Sequence, residues 1–144
     1  MIRFDDSAWP LLVVSFEEHL TDKEFLAYLE RLNEVLARGG RYAIVLDATY
    51  AEVTPLKHQR LQANWMRAHR AELAALCAGT AVVFTSSVFR LVLTGVFALQ
   101  PPPMPYAVCE TREEGLAWAA KQLGIEVPEF AKTRDPEETT RPGR

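Results

Sequence analysis

Four short apolar runs, at residues 11–16, 42–47, 81–85 and 106–109, alternate along this chain with longer stretches of helical periodicity. Runs of that length, bounded by turn formers, read as strands buried on both faces, as in a parallel sheet. The stretches between them carry their own start signals. Thr21 with Glu24 makes a capping box, and so does Thr111 with Glu114. Phe25, Leu29, Leu32 and Leu36 share one face of the first helix, opposite Glu30, Arg31 and Glu34, and Gly39-Gly40 ends it. Thr54 and Pro55 read as N-cap and first position of a second helix, which runs to about Cys77 with Gly79 as its stop. Ser86 or Ser87 caps a third helix to about Leu99, and Gly124 closes the last one. Ahead of all this, residues 2–4 alternate, Asp5-Asp6-Ser7 supplies turn residues, and a hairpin with the run at 11–16 follows. The predicted order is β-β-α-β-α-β-α-β-α. That order specifies an α/β domain over residues 1–127, with a mixed, mostly parallel five-stranded sheet covered by helices through right-handed crossovers. Residues 128–144 are polar and Pro-containing and read as a disordered tail.

Composition then excludes several classes of function. The chain has 144 residues, enough for one domain, and its 16 Lys+Arg against 19 Asp+Glu give a net charge of −3. Nucleic-acid binding requires a basic footprint, so it is not expected. No apolar stretch reaches the ~20 residues of a membrane span. Two cysteines cannot form a disulfide framework, and Asp5-Asp6 stands where a signal peptide would be apolar; both features point to the cytoplasm.

Chemical motifs are equally sparse. Gly39-Gly40-Arg41 lies at a helix end, so it does not cradle phosphate, and no G-x-S-x-G elbow occurs. On one continuous helix His58 and His69 would stand roughly 16 Å apart, too far to share a metal ion, and His19 falls in a polar turn. No metal or cofactor is therefore expected. Cys77 and Cys109 have apolar or small neighbours and read as small buried hydrophobes. His69 and Glu72 are the one titratable pair placed to touch. They suit acid/base work, a helix-edge ion pair or a helix that bends midway, and no catalytic residue is assigned from them.

Two surfaces stand out instead. Residues 1–53 carry 5 basic and 10 acidic side chains, whereas residues 54–77 carry Lys57, Arg60, Arg67 and Arg70 against Glu72 alone. Arg60 and Arg67 fall opposite Leu61 and Trp65, so the strip reads as a dock for an acidic or phosphate-bearing partner, or as a solvated face. The second surface is the helix at residues 88–99. Its apolar side chains leave only Arg90 and Thr94 as a polar strip, more than one sheet face can cover. Leu93 and Phe97 fall opposite Val88, Val92 and Leu99. Phe89, Leu93, Phe97 and Met104, with Trp118 of the last helix, are the candidate lining of an oligomer interface or an apolar pocket. A homodimer through this helix is the preferred expectation.

The run Arg90-Leu91-Val92-Leu93-Thr94-Gly95-Val96-Phe97-Ala98-Leu99-Gln100-Pro101-Pro102-Pro103, followed by Tyr106 and Glu113-Glu114-Gly115-Leu116-Ala117-Trp118, resembles the SpoIIAA-like proteins. These are small bacterial domains grouped with STAS domains and, by fold, with the CRAL-TRIO lipid-transfer domains. The resemblance implies a non-enzymatic module. STAS domains that act as anti-sigma factor antagonists bind a partner kinase and are switched by phosphorylation of a hydroxyl at the start of the second helix. Thr54 holds the matching position and is the phospho-acceptor candidate, although Glu52-Val53-Thr54-Pro55 replaces the Asp-Ser-Ser-Gly-like turn and helix capping also accounts for it. The resulting expectation is a cytoplasmic bacterial signalling module that binds itself or an unidentified regulatory protein. The alternative is a carrier or sensor of a lipid-like or apolar ligand in a CRAL-TRIO-like pocket, with helix 88–99 as gate and Arg60 or Arg67 holding an anionic head group.

Overall fold

A computed structural model describes residues 1–52 and 54–129. Its strands are β1 (Ile2–Ala8), β2 (Leu11–Glu18), β3 (Tyr42–Ala51), β4 (Cys77–Val83) and β5 (Tyr106–Cys109). The helices are α1 (Asp22–Ala37), α2 (Leu56–Ala68), α3 (Arg70–Leu76), α4 (Ser87–Leu99) and α5 (Arg112–Leu123). The strands lie side by side in sequence order, β1 antiparallel to β2 and every later pair parallel. This is the mixed five-stranded α/β sheet expected.

Sequential strand order has a consequence for the layers. When each new parallel strand is added on the same side, crossovers of one hand deliver all their helices to one face. Accordingly Leu12, Val14, Tyr42 and Ile44 pack with side chains of α1, α2, α3 and α4. Alternate residues of the same strands, Leu11, Val13, Ala43 and Val45, pack with Leu116, Ala119 and Ala120 of α5. α5 follows the last strand, needs no crossover and lies on the opposite face, with Val127 after it packed there as well.

Thr21 and Thr111 both cap their helices, but of the two capping boxes expected the reciprocal one is made at Thr21–Glu24, and Thr111 contributes its side-chain cap alone. Thr21 Oγ1 accepts from the Glu24 amide at 3.1 Å and the Glu24 carboxylate accepts from the Thr21 amide at 3.1 Å, while Thr111 Oγ1 accepts from the Glu114 amide. Ser86 caps α4, and Gly39 and Gly124 take positive φ past their helices.

Three local expectations are corrected. The hairpin turn lies at Trp9-Pro10, not at Asp5-Asp6-Ser7, because the Asp5 carboxylate accepts from the Ser7 amide and hydroxyl and makes a bulge within β1. Trp9 is then held on Tyr42, their rings stacked at 5.8 Å, under the Arg38 guanidinium. The helix after β3 starts at Leu56 with Pro55 in the cap position and no side-chain cap; the Thr54 carbonyl accepts from Gln59 Nε2 instead. It also breaks at His69, so α2 and α3 are separate helices. Finally, Cys77 and Gly79 belong to β4. A Cβ on Gly79 would stand 2.8 Å from the Trp118 ring, so this glycine serves close approach and not helix termination. Of the segment read as a tail, residues 130–144 lie outside the described residues.

Candidate functional site

The Ser86 cap sets the rotational phase of α4, since its Oγ accepts from the amides of Val88 and Phe89. In that phase Phe89, Val92, Leu93, Val96 and Phe97 turn toward the sheet, and Val88, Leu91 and Leu99 turn outward at 47%, 74% and 47% exposure. Val92 thus joins Leu93 and Phe97, and the exposed apolar side is the one containing Leu91. The large inward side chains stand over small ones, Ala48 and Val82 on the sheet, and do not reach α1 and α2 everywhere. A cavity of about 180 Å³ remains between α4, the sheet, α1 and α2. Phe25 and Tyr28 of α1, His58 and Met66 of α2, and Leu46 of β3 complete much of its wall. The Tyr28 phenol is pushed well above its ordinary pKa by burial, and Tyr42 likewise, so both rings present neutral walls.

Phe89, Leu93, Phe97 and Met104 all line this cavity, and Phe97 meets Tyr106 edge-on at 4.6 Å. Trp118 does not join them; it lies on the α5 face against Gly79. Thr54 is half-buried at the cavity wall beside Glu52. An open groove lined by Thr85, Ser86 and Val88 adjoins the cavity and shares Ala48, Phe84 and Phe89 with it.

The four basic residues of α2 and α3 do not form a uniform strip. Lys57 Nζ lies 2.7 Å from Asp22. Arg67 donates to Gln100 Oε1 at 3.1 Å and to the Leu99 carbonyl, and Arg70 donates to the Pro101 carbonyl. Cations at a helix C-terminus satisfy its orphan carbonyls, so these two arginines fasten the end of α4 to α2 and α3. Arg60 is exposed, and neither Arg60 nor Arg67 is part of the cavity wall.

His58, weighed in the sequence only as a metal ligand, is a polar residue of the cavity wall. It is 1% exposed, lines the cavity and stacks on Phe25 with ring centroids 4.5 Å apart and planes 7° from parallel. Its Nε2 lies 2.8 Å from Asp22 Oδ1, while Nδ1 has no hydrogen-bond partner. A buried polar atom left unsatisfied costs about 1–3 kcal/mol. Asp22 sits in the first turn of α1, and Lys57 first, then His58, holds its carboxyl below the usual carboxylate range. A histidine three and seven positions before Leu61 and Trp65, on their apolar face, was the available signal. Its partner Asp22, 36 residues away, had none.

A second polar group ties β2, β3 and α5. Arg112 Nε donates to Asp47 Oδ2 at 2.9 Å and its terminal nitrogen to Ser15 Oγ at 2.8 Å, while Asp47 Oδ1 accepts from the Thr49 amide. Both carboxylate oxygens are engaged, which suits a structural tether. The His69–Glu72 pair exists at 3.2 Å, but it sits at the break between α2 and α3 and outside the cavity wall. Burial raises both cysteine pKa values, so Cys77 and Cys109 are thiols. Among the described residues no cluster of three His, Cys, Asp or Glu could hold a metal ion, and no helix is long and apolar enough to cross a membrane.

Among solved structures the chain is similar to an uncharacterized protein of the DUF3478 family from Shewanella loihica PV-4 whose fold is described as SpoIIAA-like. The match covers 83% of this chain and 92% of that one, with a TM-score of 0.61 and 15% identity. The fold is SpoIIAA-like. No protein-family model matches the sequence, and no curated protein does. The fold implied by the run at residues 90–103 is therefore the fold observed. At this identity the likeness carries architecture alone.

Proposed function

We propose that this SpoIIAA-like domain is a non-enzymatic binding module that takes a small apolar molecule into the cavity beneath α4. The observation that carries this reading is the cavity itself, about 180 Å³ with a largely aromatic and aliphatic wall. An apolar cavity of about 150 Å³ engineered into another protein admits benzene, so the volume suits a ligand of one ring or a short chain and is too small for a whole lipid. The groove that shares Phe84 and Phe89 with the cavity offers an approach. α4 is the wall best placed to move, because among the described residues Val88, Leu91 and Leu99 on its outer side are exposed, while Phe89 holds its start on Phe84 and Arg67 and Arg70 hold its end. An NMR titration with toluene tests the reading. Saturable shifts of the Met66, Leu93 and Val96 methyl groups are expected. Shifts confined to the α5 face, or no saturable shift, would overturn it.

A second reading rests on the outer side of α4. Val88, Leu91 and Leu99 are exposed there, which favours self-association into a homodimer or docking of a regulatory protein. Sedimentation velocity at tens of micromolar should then show a dimer that Leu91→Glu dissociates; a monomer throughout removes the homodimer.

A further inference from the structure

The two ring nitrogens of His58 have different surroundings, and those surroundings fix which of them carries the proton. A carboxylate only accepts hydrogen bonds, so the nitrogen facing Asp22 is the one that donates. That nitrogen is Nε2, at 2.8 Å. In the neutral ring Nδ1 is then left with a lone pair and no proton. The ring cannot turn away to satisfy it, because it is clamped between the Asp22 contact and the parallel face of Phe25. Nδ1 is buried and unpartnered in a side chain that lines the cavity. The remaining wall is dominated by apolar groups such as Phe25, Leu93, Val96 and Phe97.

We infer that His58 Nδ1 is the hydrogen-bond acceptor for the ligand, and that the cavity selects small apolar molecules carrying one hydroxyl or N–H donor. This rests on the reading of the cavity as a ligand site. Asp22 is the positioning residue: it fixes the ring orientation and the tautomer, and Lys57, 2.7 Å from its other oxygen, holds the carboxylate in turn. A ligand hydroxyl entering an apolar wall loses its water, and only a matched acceptor compensates. Site-built polar matches therefore discriminate more sharply than added methyl groups do.

Phenol and toluene, nearly equal in size, separate the two terms. Each is titrated into the full chain by calorimetry, alongside the His58→Phe variant, which keeps a ring against Phe25 and removes the acceptor. In the unaltered protein phenol should bind at least as tightly as toluene despite the cost of dehydrating its hydroxyl. From the unaltered protein to the variant, the affinity for phenol relative to toluene should fall by about tenfold or more. If toluene binds and phenol is weaker by the same factor in both proteins, the acceptor role is wrong and the apolar site stands. If neither enters, both readings fall. A measurement on the unaltered protein covers the case of an unfolded variant. The nitrogen-15 resonance of His58 Nδ1 should move toward the hydrogen-bonded position on saturation with phenol and not with toluene; an unchanged resonance overturns the assignment.

Discussion

The two faces of the sheet are packed by opposite means. On the α5 face small residues bring backbone close to backbone. A Cβ on Gly115 would stand 3.0 Å from Val83 and 3.2 Å from Val45, Ala119 is fully buried, and Trp118 lies flush over Gly79. On the α4 face the order is reversed: Phe89 and Phe97 hold their helix off a floor of Ala48 and Val82. One face is close-packed and has no give. The other keeps about 180 Å³ unfilled and presents an apolar outer side to solvent. The same sheet therefore supplies a close-packed back and a loosely filled front.

That contrast can be broken most forcefully in the leucines. Leu116→Ala, on the α5 face at 2% exposure, should lose about 3 kcal/mol in urea unfolding. Leu93→Ala, at the cavity, should lose less than about 1.5 kcal/mol, because part of its surface has no packing partner to forfeit. Equal losses would show that the two faces are packed alike.

Added volume should give the next largest difference. Gly79→Ala forces a methyl against the Trp118 ring and should cost about 1–3 kcal/mol. Ala48→Val adds two methyl groups beside the cavity and should stay within about 1 kcal/mol of the unaltered protein while weakening toluene binding. Both are read from urea midpoints at constant m-value. A loss above about 2 kcal/mol for Ala48→Val would mean that the cavity cannot accept volume.

Acid should separate the faces more gently. Arg38 holds Asp6 below the ordinary carboxylate range, Lys57 and then His58 do so for Asp22, and the Thr21 amide does so for Glu24. A carboxyl with a lower pKa in the folded state stabilises above its unfolded value, near pH 4, and that stabilisation fades as pH falls through the folded value. All three contacts anchor α1, directly or through Arg38 at its end. Because the groups are exposed, the effect is small. Hydrogen exchange between pH 5 and 3 should show α1 losing protection before α5, and Asp22→Asn should reduce that difference. Earlier loss in α5 would place the acid-labile contacts elsewhere.

The elements most legible in the sequence were those whose signals are local. Capping side chains bond two or three residues away, so Thr21, Thr111 and Ser86 marked real helix starts. Glycines misled where their purpose was tertiary. Gly79 looked like a stop only because Trp118, 39 positions on, is needed to explain it. Thr54-Pro55 carried the composition of a helix start, yet the backbone enters the helix one residue later with no hydroxyl in the cap. The excess of apolar surface on α4 was visible in the sequence, and so were four of the cavity's wall residues. That the excess divides between a half-open cavity and an outer side containing Leu91 depends on the helix phase, which the chain composition does not state.

The alternation of apolar runs with capped amphipathic segments was enough to determine a five-stranded, mostly parallel sheet with helices on it, because strand and helix periods and caps act within a few residues. Only the tertiary structure decided that His58 meets Asp22 across 36 residues, that its second nitrogen is left over, and that the residue is part of a cavity wall. Those facts depend on how separate elements come to rest against one another, and no local period encodes that distance.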